Sequence, residues 1–298
     1  MPIKQRKRFY EQDMELFKNI AQMNKKKLQF FLFNVLKSYG YNNICNSNTF
    51  IFAEGELPVC LCAHMDTVFA QTPDKFYYDA KEAVLWSPSG MGADDRAGIV
   101  IILKLLRDGY RPSIVFTDLE EKGGVGADYL VSKYGNCPFK ECKAIIELDR
   151  RGTNDAVYYS CDNKDFERKI NSYGFKTEWG TFSDISIIAP IWEIAAVNLS
   201  VGYENEHTSS EILSMEGLDL TYLRVKKMLK ECDSWPSYAY IPETYSYFSI
   251  LADDGKEKCI CCGSPLGEYY YNYKYENDTF KICPHCYEVC FAPNPIDE

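Results

Sequence analysis

The chain has 298 residues, of which 46% are hydrophobic and 15% are aromatic. That composition is sufficient for the core of one large domain and a small additional one. The formal net charge of −10 excludes a broad electrostatic attraction to nucleic-acid phosphates or anionic membranes, so we expect neither as a partner.

The sequence contains no run of about 18 apolar residues, and no apolar segment follows the basic residues near the N-terminus. Thirteen cysteines are an odd number, which excludes a complete set of internal disulfides and favours a reducing compartment. We therefore expect a cytoplasmic protein.

The order of the predicted elements indicates the fold class. Amphipathic patterns predict two N-terminal helices, at 12–23 and 26–38. Strand-like apolar runs then follow at 49–54, 59–64, 82–87, 113–119, 144–149, 156–161 and 195–202. Helical patterns fall between or after them at 95–108, 124–134, 163–172, 183–189 and 214–231. This alternation predicts an α/β three-layer sandwich, in which helices flank a mixed, largely parallel central sheet.

The character of the sequence changes after residue 234. Residues 235–254 are rich in Pro, Ser and Tyr without periodicity, which predicts a linker. We expect a catalytic domain at 1–234 and a small cysteine-rich domain at 255–298.

Several predicted strands end at a residue that can bind a metal ion. In chain order, the candidate residues at strand ends or in neighbouring turns are His64, Asp66, Asp94, Glu120, Glu121, Asp149 and His207. In open α/β sheets a site forms outside the carboxyl ends of the strands, so these side chains are expected to converge. Carboxylates so close together repel unless a cation neutralises them. Two zinc ions suit a set of imidazoles and carboxylates, with Asp94 as the bridge.

The run "GMGADDRAG" has two other interpretations. The first is helix capping, which we assign to Asp95 rather than Asp94. The second is a dinucleotide-binding loop, but the third glycine of that pattern would fall at Asp95, where a carboxylate repels a pyrophosphate. We reject the dinucleotide interpretation.

Five motifs in order resemble those of a known superfamily. "AHMDTV", "GMGADDRAG", "TDLEEKGGVGA", "ELDRRG" and "EHTSSE" are similar to the motifs of the co-catalytic dizinc exopeptidases. That superfamily includes the bacterial leucyl aminopeptidases, peptidase T, carboxypeptidase G and the deblocking aminopeptidases. The resemblance covers roughly residues 58–215 and implies that His64, Asp94 and Asp149 hold one zinc ion, while Asp94, Glu121 and His207 hold the other.

The resemblance also implies two catalytic roles. Asp66 would orient His64, and Glu120 would be the general base that deprotonates the metal-activated water. The implied activity is that of a zinc-dependent exopeptidase, similar to an aminopeptidase, acting on peptide bonds. The alternatives are an amidohydrolase of the same architecture that acts on N-acyl amino acids, and a non-catalytic metal-binding adaptor.

The sequence departs from many relatives because it has no room for an inserted lid domain, either between Asp66 and Asp94 or between Asp149 and His207. Arg150 and Arg151 follow a proposed ligand, and either could pair with a substrate carboxylate or merely lie on the surface. The choice between aminopeptidase, carboxypeptidase and amidohydrolase therefore stays open from the sequence.

The C-terminal segment has the spacing of a zinc ribbon. Cys259 and Cys262 form one C-x2-C pair, and Cys283 and Cys286 form another. Four thiolates on two such turns complete a closed tetrahedral site, so we expect one structural zinc ion. Residues 267–282 between the pairs are predicted to form a hairpin. An acidic excess from residue 255 onward argues against nucleic acid, so we expect self-association or protein docking.

Overall fold

The computed structural model describes residues 3–243, 258–259, 266–267, 270–275, 278–284 and 287. The chain divides into two compact units, Met1–Pro242 and Glu243–Glu298, which are described separately. Among the helices of these described ranges, none has both the length and the apolar character needed to cross a membrane.

The first unit contains twelve strands and seven α-helices. The strands are β1 (Ile44–Asn46), β2 (Phe50–Ala53), β3 (Leu57–His64), β4 (Tyr77–Asp79), β5 (Val84–Trp86), β6 (Pro112–Thr117), β7 (Ile145–Arg150), β8 (Asp155–Val157), β9 (Lys176–Thr177), β10 (Ala196–Ser200), β11 (Tyr203–Glu204) and β12 (Ile212–Ser214). The helices are α1 (Ile3–Ala21), α2 (Lys25–Ser38), α3 (Ala93–Arg107), α4 (Val125–Lys133), α5 (Lys164–Asn171), α6 (Asp184–Trp192) and α7 (Met215–Glu231).

The main sheet has eight strands in the order β1-β2-β6-β3-β7-β10-β8-β9. Its four central strands, β6, β3, β7 and β10, are parallel, and the next strands outward, β2 and β8, pair antiparallel with β6 and β10. Strand β6 is buried along its whole length, as expected for a parallel strand that is covered on both faces. The predicted mixed, largely parallel sheet is therefore confirmed.

Helices cover both faces of the sheet. Apolar side chains of α1, α2, α3, α5 and α7 join one core with one face, and those of α4 and α6 join a second core with the other face. All seven predicted helices are present, although α1 begins at Ile3 rather than at residue 12. The predicted three-layer sandwich is confirmed.

The N-terminal helices are tied to the start of α3 by Arg96. Its guanidinium is buried, and Nη1 lies 2.7 Å from the carbonyl oxygen of Ile20, 3.0 Å from that of Ala21 and 2.7 Å from that of Met23. These carbonyls lie at the end of α1, where the helix itself supplies no donors.

The structure differs from the sequence prediction in several elements, and the edge strands β1 and β9 of the main sheet were not predicted. The strand predicted at 156–161 ends at Val157, because Tyr159 and Ser160 adopt left-handed backbone angles, with φ of 44° and 63°. A second sheet contains four short strands in the order β11-β12-β5-β4, and of these only β5 was predicted. Residues 235–242, predicted as part of the linker, pack on the first unit, where Trp235 and Tyr238 are buried.

In the described part of the second unit, β13 (Tyr271–Tyr275) and β14 (Asp278–Ile282) pair antiparallel, which confirms the predicted hairpin. Cys259 and Ile282 are buried beside it, and the backbone N–H of Cys283 donates to Cys259 Sγ at 3.2 Å. The other two predicted ligands, Cys262 and Cys286, lie outside the described residues.

Helix α3 approaches β7 most closely at Gly98. A Cβ atom there would lie 1.9 Å from the backbone oxygen of Leu148, so even a methyl group forces the helix and the strand apart. We expect Gly98→Ala to lower the free energy of unfolding by about 3 kcal/mol in urea denaturation. Gly135→Ala is the matched control, because a Cβ atom at Gly135 meets no atom within 4 Å. Equal stability of the two variants would contradict this packing.

Candidate metal centre and active site

The five residues assigned to metal binding come together at the carboxyl edge of the central sheet. His64 is the last residue of β3, and Asp149 lies near the end of β7. Glu121 lies in the 3-10 turn Glu120–Lys122 that follows β6, and Asp94 lies at the start of α3. His207 lies in the loop between β11 and β12. The parallel arrangement of β3, β6 and β7 therefore accounts for the convergence of groups that are distant in sequence.

Asp94 lies between the two histidines. Its Oδ1 is 3.0 Å from His64 Nε2, and its Oδ2 is 3.1 Å from His207 Nε2. His64 Nε2 also lies 3.4 Å from Asp149 Oδ1, and His207 Nε2 lies 3.0 Å from Glu121 Oε2. The two carboxylate oxygens of Asp94 thus face different sets of donors, which is the arrangement that a bridging carboxylate requires.

The donor atoms fit the binding of zinc. Within the described part of the chain, Asp149 Oδ1 and Glu121 Oε1 are buried and have no hydrogen-bond partner, although an unpaired buried carboxylate oxygen is energetically costly. Donor atoms of His64, Asp94 and Glu121 all lie within 4.8 Å of one another. Imidazole nitrogen and carboxylate oxygen are ordinary zinc ligands, so bound ions would compensate the unpaired groups.

Asp66 contacts both His64 and the turn that carries Glu120 and Glu121. Its Oδ1 lies 3.3 Å from His64 Nδ1, on the side of the ring opposite the donor cluster. The same carboxylate accepts hydrogen bonds from the backbone N–H groups of Glu120, at 3.1 Å, and Glu121, at 3.2 Å. One side chain therefore contacts the ring of His64 and also anchors the turn that carries both glutamates.

The turn after β6 explains how two adjacent glutamates are accommodated. Leu119 has a left-handed φ of 62°, and Gly123 and Gly124 have φ of 86° and 73°. The backbone therefore leaves the strand direction on both sides of Glu120 and Glu121, and the turn does not have the strict side-to-side alternation of a strand. Neither glutamate side chain is fully buried.

Two acidic residues fix the segment that carries Asp94. Asp95 is fully buried, and it accepts hydrogen bonds from the backbone N–H of Gly98, at 3.0 Å, and of His64, at 3.2 Å. Asp95 thus has the predicted helix-capping contact. Glu211 is also fully buried, and it accepts hydrogen bonds from the backbone N–H groups of Met91 at 2.9 Å, Ala93 at 3.1 Å and Asp94 at 3.4 Å.

Glu211 was missed as a functional residue, although it closes the "EHTSSE" motif. Its position four residues after His207 was the available signal. Glu147 was also missed. A single glutamate inside an otherwise apolar strand does not by itself indicate a functional residue. In the structure Glu147 is buried behind Asp149, and Ser183 Oγ lies within hydrogen-bond distance of Glu147 Oε2.

Burial and mutual repulsion change the protonation of the centre in the metal-free protein. Burial, with repulsion from Asp149, raises the pKa of Glu120 to about 8. Burial likewise raises the pKa of Asp149 to about 7. The hydrogen bond with Asp94 raises the pKa of His207 to about 9. The pKa of Asp94 is lowered although burial opposes this, because hydrogen bonds from His207 and His64 favour its ionised form.

Comparison with known proteins agrees with this geometry. Residues 51–178 match the model of peptidase family M28, which confirms the resemblance to the co-catalytic zinc exopeptidases and supports a metallopeptidase hydrolase. A comparison with curated protein sequences finds no match.

Solved structures share the fold at low sequence identity. A tripeptidase from Staphylococcus aureus is 16% identical with a TM-score of 0.61, and the match covers 76% of this chain and 99% of that one. Aminopeptidase PepT from Bacillus cereus is 16% identical with a TM-score of 0.60, and the match covers 75% and 98%. An aminopeptidase from the archaeon Desulfurococcus kamchatkensis is 14% identical with a TM-score of 0.53, covering 75% and 96%. These similarities show the fold.

The pKa shifts predict how the stability of the metal-free protein depends on pH. The folded-state pKa values of Glu120, Asp149 and His207 all lie above the unfolded-state values, so the stability that their protonation contributes is lost as pH rises. We expect the melting temperature in a chelator to fall from about pH 5 to about pH 8, and added zinc to abolish most of this fall. Thermal unfolding with and without zinc measures both effects. A metal-free melting temperature that rises over this interval would contradict the assigned protonation.

Proposed function

Because residues 51–178 carry the sequence pattern of peptidase family M28, we propose that the first unit is a dizinc exopeptidase that removes residues from the amino end of peptides. One observation carries this proposal. Four proposed ligands, His64, Glu121, Asp149 and His207, lie around a central carboxylate, Asp94, and the pKa of the neighbouring Glu120 is raised to about 8. We also propose a cytoplasmic location, because the odd number of cysteines excludes complete internal pairing and favours a reducing compartment.

Each side chain has a distinct part in the proposed reaction. His64 and Asp149 would hold one zinc ion, Glu121 and His207 the other, and Asp94 would bridge them. Bound zinc supplies polarisation of the scissile carbonyl and a lower pKa for bound water.

The proton transfer in the reaction is assigned to Glu120. Its carboxylate would accept the proton of the attacking water and then donate it to the leaving amine nitrogen. Asp66 anchors the backbone N–H of Glu120, so the base is held at the centre by the carboxylate that also orients His64.

Charge around the centre favours a free amine over a free carboxylate as the recognised end of the substrate. Arg151 pairs with Glu206 at 2.7 Å, and Arg150 donates to the backbone oxygen of Trp179 at 3.2 Å and lies 3.7 Å from Asp155. Both arginines that follow Asp149 are therefore already engaged. Their pairing disfavours a free substrate carboxylate as the recognised end, which leaves the free amine.

An exposed aromatic side chain lies near the same centre. Phe182 is 40% exposed, and its ring lies close to Gly124 in the loop that follows Glu120. Exposed aromatic rings at a site favour contact with apolar groups of a ligand. We therefore propose peptides with an apolar residue next to the scissile bond as substrates.

The alternative is an amidohydrolase that acts on N-acyl amino acids, since the same metal chemistry hydrolyses that amide bond. A matched set of peptides separates the two. Acetylating the α-amine should abolish hydrolysis by an aminopeptidase, and amidating the carboxyl end should leave it unchanged. Preferred hydrolysis of the acetylated compounds would establish the amidohydrolase, and no hydrolysis of any compound by the zinc-loaded protein would favour a metal-binding adaptor.

The role of Glu120 is tested by an isosteric substitution. Glu120→Gln keeps the size of the side chain but cannot accept the proton, so we expect kcat to fall by about 10²- to 10⁴-fold. Metal analysis should find the same zinc content as in the parent protein. Lys122→Gln, at an exposed residue of the same turn, is the matched control and should retain activity. Undiminished turnover by Glu120→Gln would refute its assignment as the base.

We propose in addition that the second unit holds a structural zinc ion through Cys259, Cys262, Cys283 and Cys286. The hydrogen bond from the Cys283 backbone to Cys259 Sγ supports this proposal, because it joins the two cysteine pairs and stabilises a thiolate. Such a ribbon would serve self-association or docking to a protein partner.

Metal analysis tests the ribbon separately from the catalytic centre. We expect about three zinc ions per chain, of which the one bound by four thiolates resists mild chelation. Cys283→Ser should remove this resistant ion and leave peptide hydrolysis intact. Cys45→Ser, which changes a cysteine of the first unit outside both sites, should retain all the zinc. An unchanged resistant ion in Cys283→Ser would contradict the ribbon.

A further inference from the structure

The β7 strand is irregular at the proposed ligand Asp149. In the pairing of β7 with β10, Asn198 lies opposite Glu147, but Ser200 lies opposite Arg150. Three steps on β7 therefore match two steps on β10, which is the pattern of a β-bulge. A bulge interrupts the regular ladder of backbone hydrogen bonds and leaves a backbone group in need of another partner.

The side chain of Asn198 supplies that partner. Its Oδ1 accepts a hydrogen bond from the backbone N–H of Asp149 at 2.9 Å. Asn198 is 1% exposed, so water cannot readily replace this acceptor. The main chain of Asp149 is thus held by a side chain of the neighbouring strand.

The amide group of Asn198 also reaches the side chain of Asp149 through Ser183. Both amide hydrogens are used, since Nδ2 lies 3.1 Å from Ser183 Oγ and 3.1 Å from the Tyr159 hydroxyl. Ser183 Oγ in turn lies 3.4 Å from Asp149 Oδ2 and within hydrogen-bond distance of Glu147 Oε2. Because Ser183 accepts from the amide, its single hydroxyl proton is directed toward these carboxyl groups.

The position of the Tyr159 hydroxyl depends on an unusual backbone. Tyr159 and Ser160 both have left-handed φ values, which are uncommon for residues other than glycine. This conformation ends the strand and lets the Tyr159 hydroxyl receive the second amide hydrogen. Asn198 therefore has one orientation in which all of its polar atoms are satisfied.

We propose that Asn198 is a positioning residue that fixes both the main chain and the carboxylate of Asp149, and thereby sets the affinity for the zinc ion shared by His64 and Asp149. The inference rests on the proposed dizinc function. Only one of the two ions would depend on Asn198, because Glu121 and His207 form no hydrogen bond with Asn198 or Ser183 among the described residues. Loss of the Asn198 contacts should therefore weaken one ion and spare the other.

Two variants test the proposal, and zinc affinity is the main measurement. Asn198→Ala removes the contact to the Asp149 main chain and the amide that orients Ser183. Ser183→Ala keeps the main-chain contact and removes the hydroxyl that lies between Asn198 Nδ2 and the carboxyl groups of Asp149 and Glu147. Residues that orient metal ligands typically contribute about 10- to 100-fold to metal affinity, so we expect one of the two catalytic zinc ions to bind about 10- to 100-fold more weakly in each variant. The double variant should bind this ion no more weakly than Asn198→Ala, because Ser183 acts through the same amide.

The control is Ser200→Ala on the same strand. Ser200 is fully buried, donates to the backbone oxygen of Arg151 and accepts from the backbone N–H of Asp155, so its loss affects the fold near the centre without touching Asp149. Competition with a zinc chelator gives the affinity of each ion, and thermal unfolding in excess chelator shows that each metal-free variant is folded. Ser200→Ala should lower stability but leave both affinities unchanged.

The possible results are distinguishable. Selective weakening of one ion in Asn198→Ala and Ser183→Ala supports the proposal. Two ions bound with parental affinity in these variants would overturn it while leaving the proposed function intact. Equal weakening of both ions in all variants, including Ser200→Ala, would also overturn it, since the effect would then be general damage to the fold. A parent protein that binds no pair of zinc ions would refute the proposed function itself.

Discussion

The repulsion among carboxylates at one edge of the central sheet is the constraint on which the rest of the site depends. Asp94, Glu120, Glu121 and Asp149 lie within a few side-chain lengths of one another, and the two histidines only partly offset their charge. In the metal-free protein, raised pKa values relieve the repulsion through bound protons. Divalent cations would relieve the repulsion without bound protons. The same cluster of carboxylates therefore determines both the stability of this sheet edge and its ability to bind metal ions.

The segments that present these groups are fixed by a second set of acidic residues that accept hydrogen bonds from backbone N–H groups. Asp66 anchors the turn of Glu120, Asp95 joins the end of β3 to α3, and Glu211 anchors the segment before Asp94. A carboxylate can accept several such bonds, and bonds to a charged acceptor are the stronger ones. Acidic side chains therefore have two roles in this region. Asp94, Glu120, Glu121 and Asp149 face the centre, whereas Asp66, Asp95 and Glu211 hold the backbone around it.

The sequence predicted the helices, the central strands and the convergence of the five proposed ligands, because apolar periodicity and strand ends are local features. It did not predict the short strands β1, β4, β9, β11 and β12, which are too brief to produce a pattern. Nor did it reveal Asn198, which looks like one polar residue in an apolar strand. Its contacts join segments up to 49 residues apart, and such pairings depend on strand register rather than on neighbouring residues.

The attachment of Arg96 to the end of α1 has a consequence for the architecture of the whole first unit. Arg96 follows Asp94 by two residues, and its buried guanidinium contacts three carbonyl oxygens at the end of α1 and in the connection to α2. A shorter protein lacking α1 and α2 would lose these acceptors and would also open the apolar core that the two helices share with α3. The two N-terminal helices are thus an integral part of the first unit, and trimming from that end would remove polar and apolar support of the Asp94 segment together.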